Sequence, residues 1–284
     1  MPAPSPAELY LDLIKRCLTG SVFPAEYRPL LQPGSGSGKK QMALHAYMGG
    51  LLARLNFGLY RKVKVDPLQR SEGRDWPAEG DTMIGLKRLD QLQACITAVL
   101  ANDIPGDLIE TGVWRGGAAI FMCAVLEAYG DTKRVVWAAD SFAGLPKPDG
   151  RHVHDRGDMH WRFRSVLAIT LDDVKANFAR YGLLTERVRF LKGWFKDTLP
   201  AAPIERLAVM RLDGDMYSSS MDALENLYPK LSPGGYAIID DYGAVPACRQ
   251  AVEDYRARHG IEEPIQTIDW TGVFWRKGRD SDFG

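Results

Sequence analysis

From residue 107 onward, short apolar runs alternate with segments of helical periodicity, and this alternation constrains the fold more than any other feature of the chain. The apolar runs begin at residues 107, 134, 187, 207 and 234 and read DLIETGV, RVVWAADSF, RVRFLKGW, LAVMRLDGD and GGYAIIDDY. Amphipathic segments stand between and after most of them. Strands that alternate with helices form parallel sheets whose two faces are covered by those helices. The sequence therefore predicts an α/β fold built on a mostly parallel sheet.

Segments at both ends of the chain complete the predicted architecture. The runs IQTIDW and GVFWRKG, near the C-terminus, indicate a closing antiparallel hairpin. ELYLDLIKRCLTG and LKRLDQLQACITAVLAN have apolar residues at helical spacing, and Gly20 is a plausible stop for the first. The apolar positions expected to define these two helices are Leu9, Leu11, Leu13, Ile14 and Leu18, then Leu89, Leu92, Ile96 and Leu100. We expect an N-terminal helical and lid segment over residues 1–85 and a main domain over residues 86–284.

The stretch between those two helices carries turn and linker signals. Residues 34–38 are only Gly or Ser, which is typical of a mobile loop or tether. The following HAYMGGLLARLNFGLYRKVKV is compatible with a helix and loop packed beside the main domain, or with a lid that forms a substrate wall. Glu8, His45, Tyr47 and Tyr60 are possible N-terminal contacts to a ligand.

Composition excludes several classes of partner and location. The 36 basic and 36 acidic residues balance, so we expect no nucleic acid or anionic membrane partner. No apolar run reaches the roughly 20 residues of a membrane-spanning helix, and the N-terminus has no signal-peptide pattern, so we predict a cytoplasmic protein. The four cysteines are widely spaced, which favours reduced, packed thiols over a zinc site or disulfides. They are Cys17, Cys95, Cys123 and Cys248.

A candidate nucleoside site follows the first two predicted strands. The first strand ends in ETGVWRGGAAIF, where Gly112, Gly116 and Gly117 would let the backbone approach a ligand closely. Large residues fill the centre of this glycine pattern, which disfavours the pyrophosphate cradle of a dinucleotide site. Asp140 ends the second strand about thirty residues after Glu110, where a carboxylate can accept the ribose hydroxyls of an adenosine.

This combination favours S-adenosylmethionine over NAD as the bound nucleoside. The alternative is that Asp140 only caps the turn DSFAG. After the third strand, Gly193 and the rings of Trp194 and Phe195 stand where an adenine could lie, although a tryptophan there is as often part of the core.

Four aspartates follow the fourth and fifth strands. Asp213 and Asp215 stand in RLDGD, and Asp240 and Asp241 in IIDDY. Neighbouring parallel strands bring these carboxylates to one sheet edge, where like charges at 4 Å repel by about 1 kcal/mol in water and about 4 kcal/mol at an effective dielectric of 20. Open water, a basic partner or a metal ion could make this tolerable, and the all-oxygen set suits Mg²⁺. The structural alternatives are a helix cap, a backbone turn and simple solvation.

Three histidines in RHVHDRGDMHW are a weaker candidate. His152, His154 and His160 could be ligands of a metal or supply a general base, but their spacing alone is poor evidence. An ordinary flexible loop is the expected arrangement, with contact to substrate as the functional alternative.

Long stretches of the chain resemble the macrocin O-methyltransferase family, whose members methylate sugar hydroxyls of macrolide and aminocoumarin antibiotics. The resemblance covers about residues 72–278 and rests on specific motifs. They are DLIETGVWRGGAAIFM, ADSFAGLP, VRFLKGWFKDTLP, LDGDMYSSSMDALENLYPKLSPGGYAIIDDY and GVFWRK, together with GRDWP and TMIGLKRLDQL. It is weaker over the first seventy residues.

The resemblance implies a Rossmann-like class I methyltransferase with a seven-stranded, mostly parallel sheet, dependent on S-adenosylmethionine and Mg²⁺. It implies a small glycosylated acceptor and a homo-oligomer, a dimer or larger, whose N-terminal segments close the active site. Asp213, Asp240 and Asp241 would bind the metal, and Asp215 would be the general base. The residues expected to contact the cofactor are Thr82, Met83, Glu110, Thr111, Gly112, Gly116, Asp140, Ser141, Gly193, Trp194 and Asp213.

Other functions stay open on the sequence. The same strand-end carboxylates with Mg²⁺ would suit a phenol or catechol acceptor. A nucleoside-binding module without catalysis, or an NAD-dependent reductase, could use the same sheet, although four clustered acids argue against pure binding.

Overall fold

A seven-stranded sheet with helices on both faces forms the centre of the computed structural model, which describes residues 3–29, 54, 56–58, 60–148, 150–157 and 159–278. The strands along the chain are β1 (Ala25–Pro29), β2 (Tyr60–Lys64), β3 (Asp107–Thr111), β4 (Val136–Asp140), β5 (Val188–Lys192), β6 (Leu207–Leu212), β7 (Leu231–Ile239), β8 (Gln266–Thr267) and β9 (Val273–Arg276). The helices are α1 (Pro6–Leu18), α2 (Pro67–Ser71), α3 (Leu86–Ala101), α4 (Gly117–Ala128), α5 (Arg164–Leu167), α6 (Leu171–Arg180), α7 (Phe195–Thr198), α8 (Tyr217–Leu227) and α9 (Pro246–His259).

The central sheet has the order β5-β4-β3-β6-β7-β9-β8. Strands β3 to β7 pair in parallel, and β9 runs antiparallel to both β7 and β8. The predicted α/β class, the five apolar strands and the closing hairpin are confirmed. Chain order reverses on the two sides of β3, since β4 lies beside it on one side and β6 on the other. In open α/β sheets, ligands bind at the carboxyl ends of the strands near such a reversal.

Burial explains why the central strands are nearly continuous apolar runs. All six residues of β6 are buried, and so are the last four of β3. A strand covered by helices on both faces has no solvated side on which to place polar residues. Leu89 and Phe121 belong to the core on one face, and Leu224, Val252 and Trp275 to the core on the other.

Helix α1 packs into the main core. Ser5 accepts a hydrogen bond from the backbone N–H of Glu8, and the Glu8 carboxylate accepts one from the N–H of Ser5, which forms a capping box. Leu11, Ile14 and Leu18 share one face and join the same core cluster as α3 and α4. Leu9 and Leu13 point away and are 57% and 54% exposed, so the apolar stripe is narrower than the sequence predicted. The division at residue 85 stays a prediction.

A two-stranded ribbon, β1 with β2, was not predicted. Residues 25–29 pair antiparallel with residues 60–64, so the end of the segment interpreted as helix and loop is a strand. Tyr60 lies on this ribbon and is 57% exposed. Residues 34–38, His45 and Tyr47 lie outside the described residues.

Arg70 fastens the ribbon to the domain. Its guanidinium is buried, pairs with Glu26 of β1 at 2.6 Å and Asp75 at 2.7 Å, and donates to the carbonyl of Thr19. A buried guanidinium is tolerated only when it is paired in this way. One side chain therefore joins α2, β1 and the end of α1.

Two expectations from composition can be compared with the structure. All four cysteines are free, three are buried and Cys17 is partly buried, which confirms the packed thiols. Within the described part of the chain, no helix is long and apolar enough to cross a membrane.

Candidate active site

A cavity of about 340 Å³ opens at the carboxyl ends of the parallel strands. Gly112 follows β3, Ser141 follows β4, Gly193 follows β5 and Asp213 follows β6, and all four line the cavity. The rest of the wall comes from Met83, Trp114, Asp140, Gly144, Leu145, Pro146, Lys147, Arg151, Leu167, Trp194, Phe195, Lys196, Gly214, Asp215, Ser218, Ser219 and Asp222. The cavity therefore lies where the strand order predicts a ligand.

Gly112 is required by the close approach of two strand ends. Its φ is +80°, and a Cβ there would lie 1.8 Å from the backbone oxygen of Asp213. The N–H of Asp213 donates to the carbonyl of Thr111 at 3.0 Å, which holds the two loops together. Any side chain at residue 112 would push the aspartate loop away from the cavity.

Asp140 joins two loops of the cavity. One carboxylate oxygen accepts from the N–H of Val113 at 2.7 Å, and the other accepts from the N–H of Phe142 at 2.7 Å. The removal of this group from water raises its pKa, although the backbone donors act in the opposite direction. Asp140 thus caps the turn after β4, as the structural alternative expected, and also forms part of the cavity wall.

The predicted cofactor residues divide into two groups. The cavity wall contains Met83, Gly112, Asp140, Ser141, Gly193, Trp194 and Asp213. It does not contain Thr82, Glu110, Thr111 or Gly116. Thr82 and Thr111 are buried, and Gly116 is the residue that precedes α4, with a φ of +93°. Contact of these four residues with the cofactor stays a prediction.

A buried arginine in β6 organises the acidic strand ends. Arg211 is 2% exposed and bonds to Glu110 at 2.7 Å, Asp213 at 3.0 Å and Asp240 at 2.6 Å. Burial raises the pKa of Glu110 to about 8, against the effect of the neighbouring arginine. Glu110 bonds to this guanidinium through one oxygen, and its contact with the cofactor stays a prediction.

A second arginine pairs with Asp240 from the other side. Arg88 of α3 contacts one oxygen of Asp240 at 2.5 Å, and its Nε lies 3.0 Å from Asp269. Burial alone would raise the pKa of Asp240, but Arg211 and Arg88 lower it below its ordinary value. Open water, a basic partner or a metal ion could each offset the repulsion between adjacent aspartates. For Asp240, the structure shows a basic partner.

The sequence analysis did not predict that Arg211 and Arg88 pair with the acidic strand ends. Only Arg211 stands in a sequence pattern that could have indicated such a pairing. Arg211 is a charged residue inside LAVMRL, a run that reads as a strand buried on both faces. A charge in such a strand must be paired, so acids on the adjacent strands could have been proposed as its partners. Arg88 lies among ordinary polar helix residues, and nothing in its neighbourhood marks it.

Asp213 also belongs to a group of three carboxylates that converge beside these arginines. Asp213, Asp215 and Asp241 each offer an oxygen atom, and these atoms lie within 4.8 Å of one another. The Asp241 carboxylate also accepts from the N–H of Asp215 at 3.2 Å. Burial raises the pKa of Asp241 well above its ordinary value, and the charges of Asp215 and Asp213 raise it further. Burial and the charge of Asp240 raise the pKa of Asp213 to about 6.

A hard divalent cation fits this donor set. Carboxylate oxygens are the preferred protein ligands of Mg²⁺, and a cation would offset the charge repulsion that raises these pKa values. The group differs from the predicted one because it includes Asp215, whereas the oxygens of Asp240 face the two arginines. Which three aspartates would bind a metal stays a prediction.

The predicted histidine group does not join these carboxylates. His152 and His154 both contact the ring of Tyr217, with centroids 4.8 Å apart in each case; the His154 ring is stacked on it and the His152 ring is tilted by 43°. Neither belongs to the acidic group or the cavity wall. The side chain of His160 lies outside what the structure describes.

Comparison with known proteins shows the family to which this chain is similar. A family model described as macrocin O-methyltransferase matches residues 7–277. A Streptomyces olivaceus protein, 8-demethyl-8-(2,3-dimethoxy-alpha-L-rhamnosyl)-tetracenomycin-C 4'-O-methyltransferase, is 53% identical over 95% of this chain and 92% of its own length. Mycinamicin III 3''-O-methyltransferase of Micromonospora griseorubida is 48% identical over 95% of this chain and 96% of its own.

A solved structure is similar over the same extent. The O-methyltransferase NovP is 44% identical and superposes with a TM-score of 0.82, covering 96% of this chain and all of that one.

The buried arginine predicts a large loss of stability on its replacement. Arg211→Met would leave the buried acids Glu110 and Asp240 without this partner, which should cost about 3–5 kcal/mol of unfolding free energy. Arg258→Met is the matched control, since Arg258 pairs with Glu225 on the surface, and it should cost at most about 1 kcal/mol. Urea unfolding measures both, and equal losses would contradict the assigned role of Arg211.

Proposed function

Because the chain belongs to the macrocin O-methyltransferase family, we propose that it transfers the methyl group of S-adenosylmethionine to a hydroxyl of a sugar in a glycosylated natural product. It is an O-methyltransferase with a Rossmann-like fold, as its relatives are. The observation that carries the proposal is one cavity that contains both Asp140, the candidate nucleoside contact, and Asp215, the candidate base. The rhamnosyl group named for the tetracenomycin relative supports a sugar acceptor.

The cofactor would lie along the ends of β3, β4 and β5. Gly112 and Gly193 leave the backbone open there, and Trp194 contributes an aromatic wall. One oxygen of Asp140 accepts from the N–H of Val113, and the other accepts from the N–H of Phe142 and lies 3.4 Å from the Ser141 hydroxyl. A carboxylate has about four lone-pair sites, so Asp140 can still accept a ribose hydroxyl while it holds the two loops in place.

The acidic end of the cavity would receive the acceptor. We assign Asp213, Asp240 and Asp241 as ligands of Mg²⁺ and Asp215 as the general base. A bound cation would supply charge stabilisation for the developing alkoxide of a weakly acidic sugar hydroxyl. Asp215 lines the cavity and Asp240 does not, so a hydroxyl in the cavity can reach Asp215 directly.

Different residues would act in proton transfer and in the positioning of the reactants. Asp215 takes the proton of the acceptor hydroxyl as the new O–C bond forms and the S–C bond of the cofactor breaks, which leaves S-adenosylhomocysteine. The loops held by Asp140 and Arg211 keep the two reactants at the required distance. Positioning of this kind can supply much of the rate acceleration in a displacement.

We further propose that the enzyme is cytoplasmic and works as a homo-oligomer, a dimer or larger. The β1–β2 ribbon supports an oligomer, because β2 is mostly exposed and Tyr27 and Tyr60 leave large side chains 52% and 57% exposed on it, a surface that a second copy could cover. Light scattering of the purified chain should give a mass of at least twice the 31.6 kDa monomer. A monomeric mass at the assay concentration would contradict this part of the proposal.

The wild-type protein tests the proposed reaction. With S-adenosylmethionine and Mg²⁺, it should methylate glycosides that carry a free sugar hydroxyl, as detected by the mass of the product. Catechols and simple phenols should be poor acceptors at matched concentration. Turnover of catechols but not glycosides would support the phenolic alternative, and calorimetric binding of NAD⁺ but not S-adenosylhomocysteine would support a reductase.

Two isosteric variants test the assigned roles of the aspartates. Asp215→Asn should lower kcat by about 10²–10⁴-fold, as expected for loss of a general base, and keep the affinity for Mg²⁺. Asp240→Asn should weaken Mg²⁺ binding and raise the Mg²⁺ concentration needed for activity. Both should bind S-adenosylhomocysteine as the wild type does, and Asp172→Asn, on the exposed face of α6, is the neutral control.

The opposite pattern would correct the ligand set. If Asp215→Asn weakens Mg²⁺ binding and Asp240→Asn does not, the metal ligands are Asp213, Asp215 and Asp241. Asp240 would then only pair with the two arginines. Full activity of the wild type in excess chelator would exclude a metal role for all four aspartates.

A further inference from the structure

Helix α8 begins next to the acidic site but does not cap its own N-terminus. The first turn of a helix leaves backbone N–H groups without partners, and a Ser, Thr, Asp or Asn immediately before it usually accepts one. Here that position is Met216, which forms no capping hydrogen bond. The N–H groups at the start of α8 therefore need an acceptor from elsewhere in the chain.

Asp155 provides this acceptor from a distant segment. One of its oxygens accepts from the N–H of Tyr217 at 2.8 Å, and the other from the N–H of Ser218 at 3.0 Å. The residue is 2% exposed, so both bonds are shielded from water. A carboxylate at a helix N-terminus is also stabilised by the helix dipole.

The segment that carries Asp155 contacts α8 at further points. The rings of His152 and His154 both contact the ring of Tyr217. Arg151 lies 3.4 Å from Asp222, one turn further along α8. Residues 150–157 are thus attached to α8 by a buried cap, two ring contacts and an ion pair, which is more order than the flexible loop expected from the sequence.

These contacts affect both the cavity and the acidic turn. Arg151 and Asp222 form part of the cavity wall, as do Ser218 and Asp215. Asp215 adopts a left-handed conformation, with φ of +53°, in the short turn that joins β6 to α8. Because the turn has only a few residues, the position of the α8 N-terminus determines where the Asp215 carboxylate points.

We propose that Asp155 is a positioning residue for catalysis, which rests on the proposed function of the cavity. It does not line the cavity and acts through the backbone of Tyr217 and Ser218. By holding α8 and residues 150–157 together, it fixes the acceptor side of the cavity and the carboxylate of Asp215. The cofactor side, formed by Gly112, Asp140 and Gly193, does not depend on it.

Replacement of Asp155 should therefore separate acceptor chemistry from cofactor binding. Asp155→Ala should lower kcat/KM for the acceptor by about 10–100-fold, since a displacement of about 1 Å can reduce a rate by this factor. The loss should appear in both kcat and the acceptor KM. The calorimetric affinity for S-adenosylhomocysteine should stay that of the wild type. Asp155→Asn keeps one acceptor oxygen and should recover part of the activity.

Thr170→Ala is the matched control for loss of a helix cap. Thr170 accepts from the N–H of Asp173 at the start of α6 and is not part of the cavity wall. This variant should lower the midpoint of thermal unfolding but keep the wild-type kcat and KM. An equal kinetic loss in Thr170→Ala, or wild-type kinetics in Asp155→Ala, would overturn the proposal.

Hydrogen exchange separates this inference from the proposed function. In Asp155→Asn, amides of residues 150–157 and of the turn at 213–218 should exchange faster than in the wild type, whether or not any glycoside is methylated. Wild-type exchange in both segments would overturn the positioning role. If the wild type methylates no acceptor, the proposed function fails while the exchange result still decides this inference. If Asp155→Ala does not fold, Asp155→Asn supplies the kinetic comparison.

Discussion

The contact on which the site depends is that of Arg211 with three carboxylates from adjacent strands. β3 supplies Glu110, the end of β6 supplies Asp213 and the end of β7 supplies Asp240. Without the guanidinium between them, the buried Glu110 and Asp240 and the partly buried Asp213 could not lie so close together, because desolvation and charge repulsion would both oppose it. The guanidinium suits this position since it stays charged and donates in several directions within one plane.

This arrangement divides the four strand-end aspartates into two electrostatic types. Asp240 lies between Arg211 and Arg88, which keep its pKa low. Asp213, Asp215 and Asp241 converge beside it, and burial together with neighbouring carboxylates raises the pKa of Asp213 and Asp241. A divalent cation would offset the charge repulsion within the group Asp213, Asp215 and Asp241. The charge of Asp240 is already offset by the two arginines. The repulsion between Asp240 and Asp241 is therefore offset in two ways: Asp240 pairs with the arginines, and a metal ion is predicted beside Asp241.

Much of the fold was predictable because its strongest signals are local. The alternation of apolar runs and helical segments predicts five parallel strands, and DLIETGV, LAVMRLDGD and GGYAIIDDY place their polar residues where each strand ends. Strand ends of a parallel sheet share one edge, so convergence of Asp213, Asp215 and Asp241 followed from topology alone. The sequence predicted that Gly112 lets the backbone approach a ligand, whereas the close contact that the structure shows there is with the backbone of Asp213.

Contacts between distant segments were not predictable in the same way. Arg88 and Asp240 are 152 residues apart, and Asp155 and Tyr217 are 62 apart, so no periodicity relates them. The absence of a capping residue at Met216 was a possible signal for an external cap, but it did not identify Asp155. The β1–β2 ribbon was missed because its exposed, basic strand lacks the alternation of a half-buried one.

The central claim is that the aspartates at the ends of β6 and β7 hold a cation beside the acceptor while Asp140 holds the cofactor. A crystal structure with S-adenosylhomocysteine, a glycoside acceptor and Mn²⁺ in place of Mg²⁺ tests it most directly. We expect an anomalous peak in contact with oxygens of Asp213, Asp240 and Asp241, a sugar hydroxyl beside Asp215 and the ribose on Asp140. A fully occupied cavity with no anomalous peak at these aspartates would contradict it.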